Sequence, residues 1–325
     1  MRILRSVTWM FSVGTMVFGA GVAFGQNKDA YPDKVIHIVT SAPGSNNDWG
    51  ARLVAQELTL RLGQQVVVDN RPSVVNVETV AKAPPDGYTL LFLGPTIWLL
   101  PFLRDDVSWD PLRDFSPITL AVQSPNALVV HPSLPVKSVK ELIALAKARP
   151  AELNYGAGAL GSTPHLAAEL FNALAGVKTV RVPYRGTGPA MIALISGEVH
   201  LMFPGLGSVA PHTKSGKVRA LAVTSAKPSA LAPGLPTVAA SGLPGYVSTS
   251  ILGIFAPGKT PAAIVNLLSR EIAGILNKAD VKKRFFSSGA EAVGSSPEEL
   301  AATIKSEMAR WGKVIKDAGI RGRGD

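Results

Sequence analysis

Short apolar runs alternate with helical patterns along almost the whole chain, and four of the runs end in turns rich in glycine and hydroxyl residues. Val35-Ile36-His37-Ile38-Val39 reads as a strand. Asp48 to Leu62 then reads as a helix, with Ala51, Val54, Ala55, Leu58 and Leu62 on one face. Val66-Val67-Val68 and Thr89 to Leu93 read as the next strands. Strand, helix, strand in this rhythm implies parallel sheets joined by crossover helices, an α/β architecture. The pattern resumes with a helix capped by Ser138 and running to Lys147, a strand at Leu153-Asn154-Tyr155 and a helix from Pro164 to Leu174. A strand over Thr179 to Tyr184, a helix over Pro189 to Ser196 and strands over Val199 to Phe203 and Arg219 to Thr224 follow. Two amphipathic helices, Pro261 to Asn277 and Pro297 to Ala318, close the chain. Two extended apolar segments, near 118–130 and 219–255, interrupt the rhythm and read as passages between two lobes. The middle of the chain then forms one lobe, and both ends combine into the other.

Residues 1–25 stand apart from this pattern. Arg2 and Arg5 precede an apolar run from Val7 to Ala23, and Gly21-Val22-Ala23 or Ala23-Phe24-Gly25 offers a small-x-small exit. That is the layout of a cleaved secretory signal; an uncleaved anchor is the alternative, although the run is short against the roughly 20 residues a span needs. The expectation is an exported protein of about 300 residues, large enough for two lobes. The chain has no cysteine, so no disulfide and no lipid-accepting thiol is available. Its formal charge of +10 falls to +8 once Arg2 and Arg5 are removed. The positive residues are spread along the chain, with Lys282-Lys283-Arg284 as the single run and no interleaved aromatic platform. That pattern argues against nucleic acid and for a mild field that attracts small anions.

The chemistry sits in four turns that follow strands. They are Thr40 to Asp48, Gly156 to His165, Pro183 to Pro189, and Phe203 to Ser208. Each feeds a helix, whose first N–H groups and partial positive charge suit a carboxylate. Ligands of open α/β sheets bind at such carboxyl ends. Taken singly, each turn needs no more than helix capping to explain it; matched turns in both halves favour ligand contact. The expected contacts are Ser41, Gly44, Ser45 and Asn46, with Asn47 and Asp48 beside them, and Gly158, Ser162, Thr163 and His165 from the other half. Tyr184, Thr187 and Gly205 come next. His165 either faces the ligand or packs locally.

Signals for catalysis are weak. There is no Gly-x-Ser-x-Gly elbow, and Gly156-x-Gly158-x-x-Gly161 lacks a suitably placed acid after the next strand. The five histidines show no metal spacing, so no metal and no cofactor is expected. The terminal Arg323-Gly324-Asp325 reads as coincidence in a frayed tail.

At these turns the chain resembles the TctC-like (Bug-type) substrate-binding proteins of tripartite tricarboxylate transporters. The resemblance is carried by Ala42-Pro43-Gly44 with Asp48, Leu62-Gly63-Gln64, Asn70-Arg71-Pro72 and Ala81 through Leu91. Val130-His131-Pro132, Asn154-Tyr155-Gly156, Gly161 through Leu166, Pro183-Tyr184-Arg185-Gly186 and Leu221 through Ser225 extend it. It implies a two-lobed type II periplasmic binding protein, a Venus flytrap of mixed sheets flanked by helices. Lobe one would span residues 26–122 and 226–325, with the hinge return, and lobe two 123–225. The implied role is capture of a small carboxylate by a monomer that delivers it to integral membrane subunits. A sensor that feeds a signalling kinase and an exported α/β hydrolase are the alternatives. Three departures stand out: Ser45 where the family has a second glycine, Ser73 to Val77 in place of a glycine-rich stretch, and Pro204 where an aspartate is common. The second reads as a shortened loop that removes backbone donors. Trp98 either walls the pocket or packs in the core.

Overall fold

A computed structural model describes residues 31–317, 319 and 320. The signal at 1–25 and the tail at 321–325 lie outside the described residues. From the amino-terminal side the order is β1 (Ile36–Thr40), α1 (Asn46–Leu62), β2 (Val66–Asn70), α2 (Ser73–Ala81), β3 (Thr89–Leu93), α3 (Thr96–Leu103) and β4 (Phe115–Pro125). The middle holds β5 (Ala127–Val130), α4 (Val139–Ala148), β6 (Asn154–Ala157), α5 (Thr163–Ala175), β7 (Val180–Pro183), α6 (Thr187–Ser196), β8 (Leu201–Met202), α7 (Leu206–Lys214) and β9 (Arg219–Val223). The chain closes with β10 (Thr249–Pro257), α8 (Ala262–Leu276), α9 (Ala279–Ser287), β11 (Glu291–Ala292) and α10 (Pro297–Asp317).

The strands form two mixed sheets, ordered β11-β4-β10-β3-β1-β2 and β7-β6-β8-β5-β9. In the first, β1 runs parallel to β2 and β3, while β10 is antiparallel to β3 and β4. In the second, β6 is parallel to β7 and β8, and β5 is antiparallel to β8 and β9. Helices cover both faces, so β3 reads as an apolar run with four of five residues buried rather than as alternation. The two halves are each sealed by aromatic residues. Trp98 packs against Phe255, which also meets Phe115. Phe203 lies between Phe171 and Tyr246.

Local signals set the helix ends. Gly63 takes a φ of 65° after α1, which a side chain would disfavour, and its N–H donates to the Thr59 carbonyl. Ser138 caps α4 by accepting from the Glu141 N–H. Ser296 and Glu299 exchange bonds at the start of α10, a reciprocal cap. Ser73 to Val77 does not form a loop. It is the first half of helix α2, whose Val77 and Val80 are buried. Trp98 is fully buried within α3, so it packs and does not wall the cleft.

The sheets meet where the chain crosses between them. Asn126 alone separates β4 of the first sheet from β5 of the second. The return passes through Thr224. The Asn126 N–H donates to Thr224 Oγ1 at 2.8 Å and the Thr224 N–H donates to the Asn126 carbonyl at 2.9 Å. The Thr224 hydroxyl also reaches the Ser248 carbonyl, and the Ser248 N–H donates back to the Thr224 carbonyl. Residues 226–248 lie along the second half: the Val238 N–H donates to the Val223 carbonyl, and the Tyr246 hydroxyl donates to the Ala167 carbonyl.

Candidate functional site

Six helices begin at one cleft of about 750 Å³. Helices α1, α2 and α3 arrive from the first sheet, and Asn46, Pro72 and Thr96 at their starts line it. Helices α5, α6 and α7 arrive from the second, presenting Ser162, Thr187 and Gly205. Each of the six follows a strand at its carboxyl end, the usual ligand position in open α/β sheets. Ser45 caps α1 by accepting from the Asp48 N–H, but the other five starts have no side-chain cap bond. No side chain occupies their first N–H groups, although those of Ile97 and Trp98 in α3 and of Ser208 in α7 donate to preceding carbonyls, and each helix start carries roughly half a positive charge. Two buried polar atoms on the lining, Ser162 Oγ and Asn126 Oδ1, also lack a hydrogen-bond partner. Among the described residues no acid lines the cleft. The arrangement favours an anion.

On the first-sheet side, Asp48 shapes the turn from behind. Its Oδ2 accepts from the Gly44 N–H at 2.9 Å, and its Oδ1 accepts from Asn70 Nδ2 at 2.8 Å and Arg52 Nε at 2.9 Å. Burial alone would raise the pKa of this carboxyl, but the bonds from Asn70, Gly44 and Arg52 outweigh it and hold the value below the ordinary range. Asn47 Nδ2 donates to Ser41 Oγ, tying the two ends of the turn together.

On the second-sheet side, a buried polar group supports the β6–α5 turn. Arg181 Nη2 donates to the Gly158 carbonyl at 2.9 Å. The Tyr155 hydroxyl bonds Glu169. Burial raises the Glu169 carboxyl despite the bonds from Tyr155 and Asn172 and the charge of Arg181. Burial also raises the Tyr155 hydroxyl, helped by the Glu169 charge. His165 is 3% exposed, and its Nδ1 accepts from the Gly161 N–H at 3.2 Å. Burial, then the charge of Arg181, pulls its pKa down to about 3. The imidazole is neutral, with its proton on Nε2.

This histidine links acidity to folding. In the unfolded chain it takes a proton near its ordinary pKa of about 6.5, which the folded imidazole refuses. Its contribution to stability is therefore whole above that value and is lost as pH falls from about 6.5 toward 3, at up to about 1.4 kcal/mol per pH unit. Urea unfolding from pH 4 to 7 is expected to show a shallower acid loss in His165→Asn, which keeps an acceptor but no titration. Equal slopes in both proteins would refute the assignment.

Of the residues expected from sequence, Ser41, Ser45, Asn46 and Asn47 line the cleft from one side, and Gly158, Ser162, Thr163, Tyr184, Thr187 and Gly205 from the other. Gly44, Asp48 and His165 do not line it. Asp48 and His165 are buried and spend their polar atoms on neighbouring loops, and Gly44 donates its N–H inward to Asp48. The Tyr184 hydroxyl donates to Glu198 at 2.8 Å, and burial with that carboxylate pushes its pKa up to about 12. Asn70, Arg71, Asn126, Arg185 and Ser250 line the cleft without having been singled out as contacts. For Asn126 the signal was present, a lone amide inside an apolar run. Among the described residues no cluster of three or more His, Asp or Glu could hold a metal ion, and no helix is long and apolar enough to cross a membrane.

The chain matches, over residues 50–320, the family described as tripartite tricarboxylate transporter family receptor. Solved structures agree. An R. palustris protein, Rpa4515, with adipate is 39% identical, with a TM-score of 0.86 over 90% of this chain and 99% of that one. The periplasmic binding protein BugD is 30% identical, with a TM-score of 0.85 over 90% of this chain and 100% of its own. MatC from Rhodopseudomonas palustris with bound malate is 30% identical, with a TM-score of 0.81 over 88% and 100% of the two chains.

Proposed function

The chain belongs to the tripartite tricarboxylate transporter receptor family, and from that premise we propose that it is a periplasmic receptor that captures a small organic carboxylate between its two lobes. It then hands the ligand, without turnover, to integral membrane subunits of a transporter. The observation that carries this reading is the meeting of six helix starts, five of them uncapped by side chains, at one cleft free of acids. Donors already aimed at a carboxylate need little reorganisation when it arrives. The 750 Å³ cleft lies within the range of about 300–1,000 Å³ common for small-molecule sites. Adipate and malate in the relatives are both carboxylates.

The contacts proposed are Ser41, Ser45, Asn46 and Asn47 from lobe one and Gly158, Ser162, Thr163, Tyr184, Thr187 and Gly205 from lobe two. Gly44, Asp48 and His165 hold those turns in place. Lobe one takes residues up to Pro125 and again from Thr249, lobe two takes 127–225, and 226–248 travels with lobe two, to which Val238 and Tyr246 bind it. The protein acts as a monomer, its lobes closing about the Asn126 and Thr224 crossing as the ligand draws them together.

A melting-temperature screen of the purified protein against mono-, di- and aromatic carboxylates, with amines and esters as controls, tests the reading. A matching carboxylate at a hundred times its dissociation constant stabilises the folded state by about 2.7 kcal/mol and raises the melting temperature. A panel in which no carboxylate moves the transition would overturn it, and turnover of any ester would point to a hydrolase.

A further inference from the structure

We infer that Arg185 reads a second carboxylate, and so separates ligands with two carboxylates from those with one. This rests on the carboxylate reading above. Two charged residues line the cleft, Arg71 and Arg185. Arg71 is engaged: its Nε and Nη2 both donate to Asp69 Oδ2, at 2.9 and 2.7 Å. Arg185 makes no hydrogen bond or ion pair among the described residues. It is the uncompensated full charge on the lining.

Its position suits the role. Arg185 sits in the turn between β7 and α6, two residues before Thr187. The next residue, Gly186, places its Cα 3.5 Å from where a Cβ on Gly158 would stand. The turn that carries the arginine therefore packs against the turn that carries Ser162 and Thr163. The neighbouring acid, Glu198, already accepts from the Tyr184 hydroxyl. One carboxylate is served by helix-start N–H groups, which offer dipoles and no formal charge. A guanidinium offers a full charge and a planar fork that matches a carboxylate in two bonds. The two receptors differ in kind, and a diacid engages both. Arg185 is exposed, so its charge counts for little until a ligand covers it.

Titration calorimetry on the full protein, with Arg185→Gln and Arg185→Lys, tests this. Adipate and hexanoate serve as probes because they share a chain length and differ in one carboxylate. The unaltered protein is expected to prefer adipate. Arg185→Gln should weaken adipate by about ten- to a hundredfold, the range for losing a hydrogen bond to a charged group, and leave hexanoate unchanged. Arg185→Lys should recover part of the loss, since it restores the charge without the fork. Added salt should weaken adipate more in the unaltered protein than in Arg185→Gln. Equal weakening of both acids in Arg185→Gln, or none, would refute the assignment of Arg185. Failure of the unaltered protein to bind either acid, or any other carboxylate, would instead sink the receptor reading beneath it.

Discussion

Gly207→Ala is expected to weaken any ligand held between the lobes by about a hundredfold and to leave the cleft further open in solution. A Cβ built on Gly207 would stand 1.6 Å from the Ser288 carbonyl oxygen and 2.7 Å from its carbon. Gly207 belongs to α7, on the second sheet, and Ser288 follows α9, on the side of the first. The obstacle is main chain, and it is held. The Ser288 N–H donates to the carbonyls of Arg284 and Phe285, and the Ser124 hydroxyl donates to the Gly289 carbonyl. A turn so fastened cannot step aside cheaply, so the relief is rotation of one lobe away from the other. Overpacking of this kind costs up to about 3 kcal/mol, and a ligand that must close the lobes against it loses about two decades of affinity. Gly289→Ala should act in the same direction, because its Cβ would lie 2.2 Å from the Gly207 nitrogen. Calorimetry and small-angle scattering together decide it. Unchanged affinity with an unchanged radius of gyration would show that the lobes do not hinge on this contact.

The second large effect is expected at Asp48. Asp48→Ala should cost about 2–3 kcal/mol of stability and lower ligand affinity, because three donors lose their acceptor at once. Asn70 retains its bond to the Ser41 carbonyl, and Arg52 is half exposed and can turn to water. The cost therefore falls below that of breaking a fully buried ion pair. The same carboxyl carries a pH signature. Its folded pKa lies below the unfolded value of about 3.9, so its contribution is present above that value and is lost as pH falls below it. Asp48→Asn should remove this acid loss while keeping an acceptor for Gly44. Denaturant unfolding at pH 3 and pH 7 measures both effects; an Asp48→Ala protein as stable as its parent at pH 7 would refute the account.

The parts legible in the sequence share one property, a pattern repeated over several residues. The Val66 to Val68 run, the spacing of Ala51, Val54, Ala55 and Leu58, and the Ser138 cap each announce an element that the structure contains. The hydroxyl-rich turns place ten of the thirteen expected residues on the cleft lining. What stayed hidden had no period to display. Helix α3 carries Pro101 inside it and buries Ile97 through Leu100 on every side, so it shows no polar face. Helix α2 is rich in β-branched valines and starts directly after Pro72, which disguises it as a loop or strand. Three expected residues stand off the lining for a different reason. Asp48 and His165 have the chemistry of ligand groups, but the same polar atoms serve equally well to fasten a turn from behind, and only the fold decides which way they face.

The long ladder between β4 and β10 has a bearing on how the chain acquires its shape. Phe115 pairs with Pro257 and Pro125 with Thr249, so the first sheet stays incomplete until the whole second half has been made. Contacts so distant in sequence form slowly, since the loop between them must be closed before any pairing repays it. The β4–β10 pairing waits for Thr249 to Pro257, whereas β1, β2 and β3 and the strands of the second sheet pair over shorter stretches of chain. That delay leaves the early edge of β4 exposed to misassembly until its partner is made.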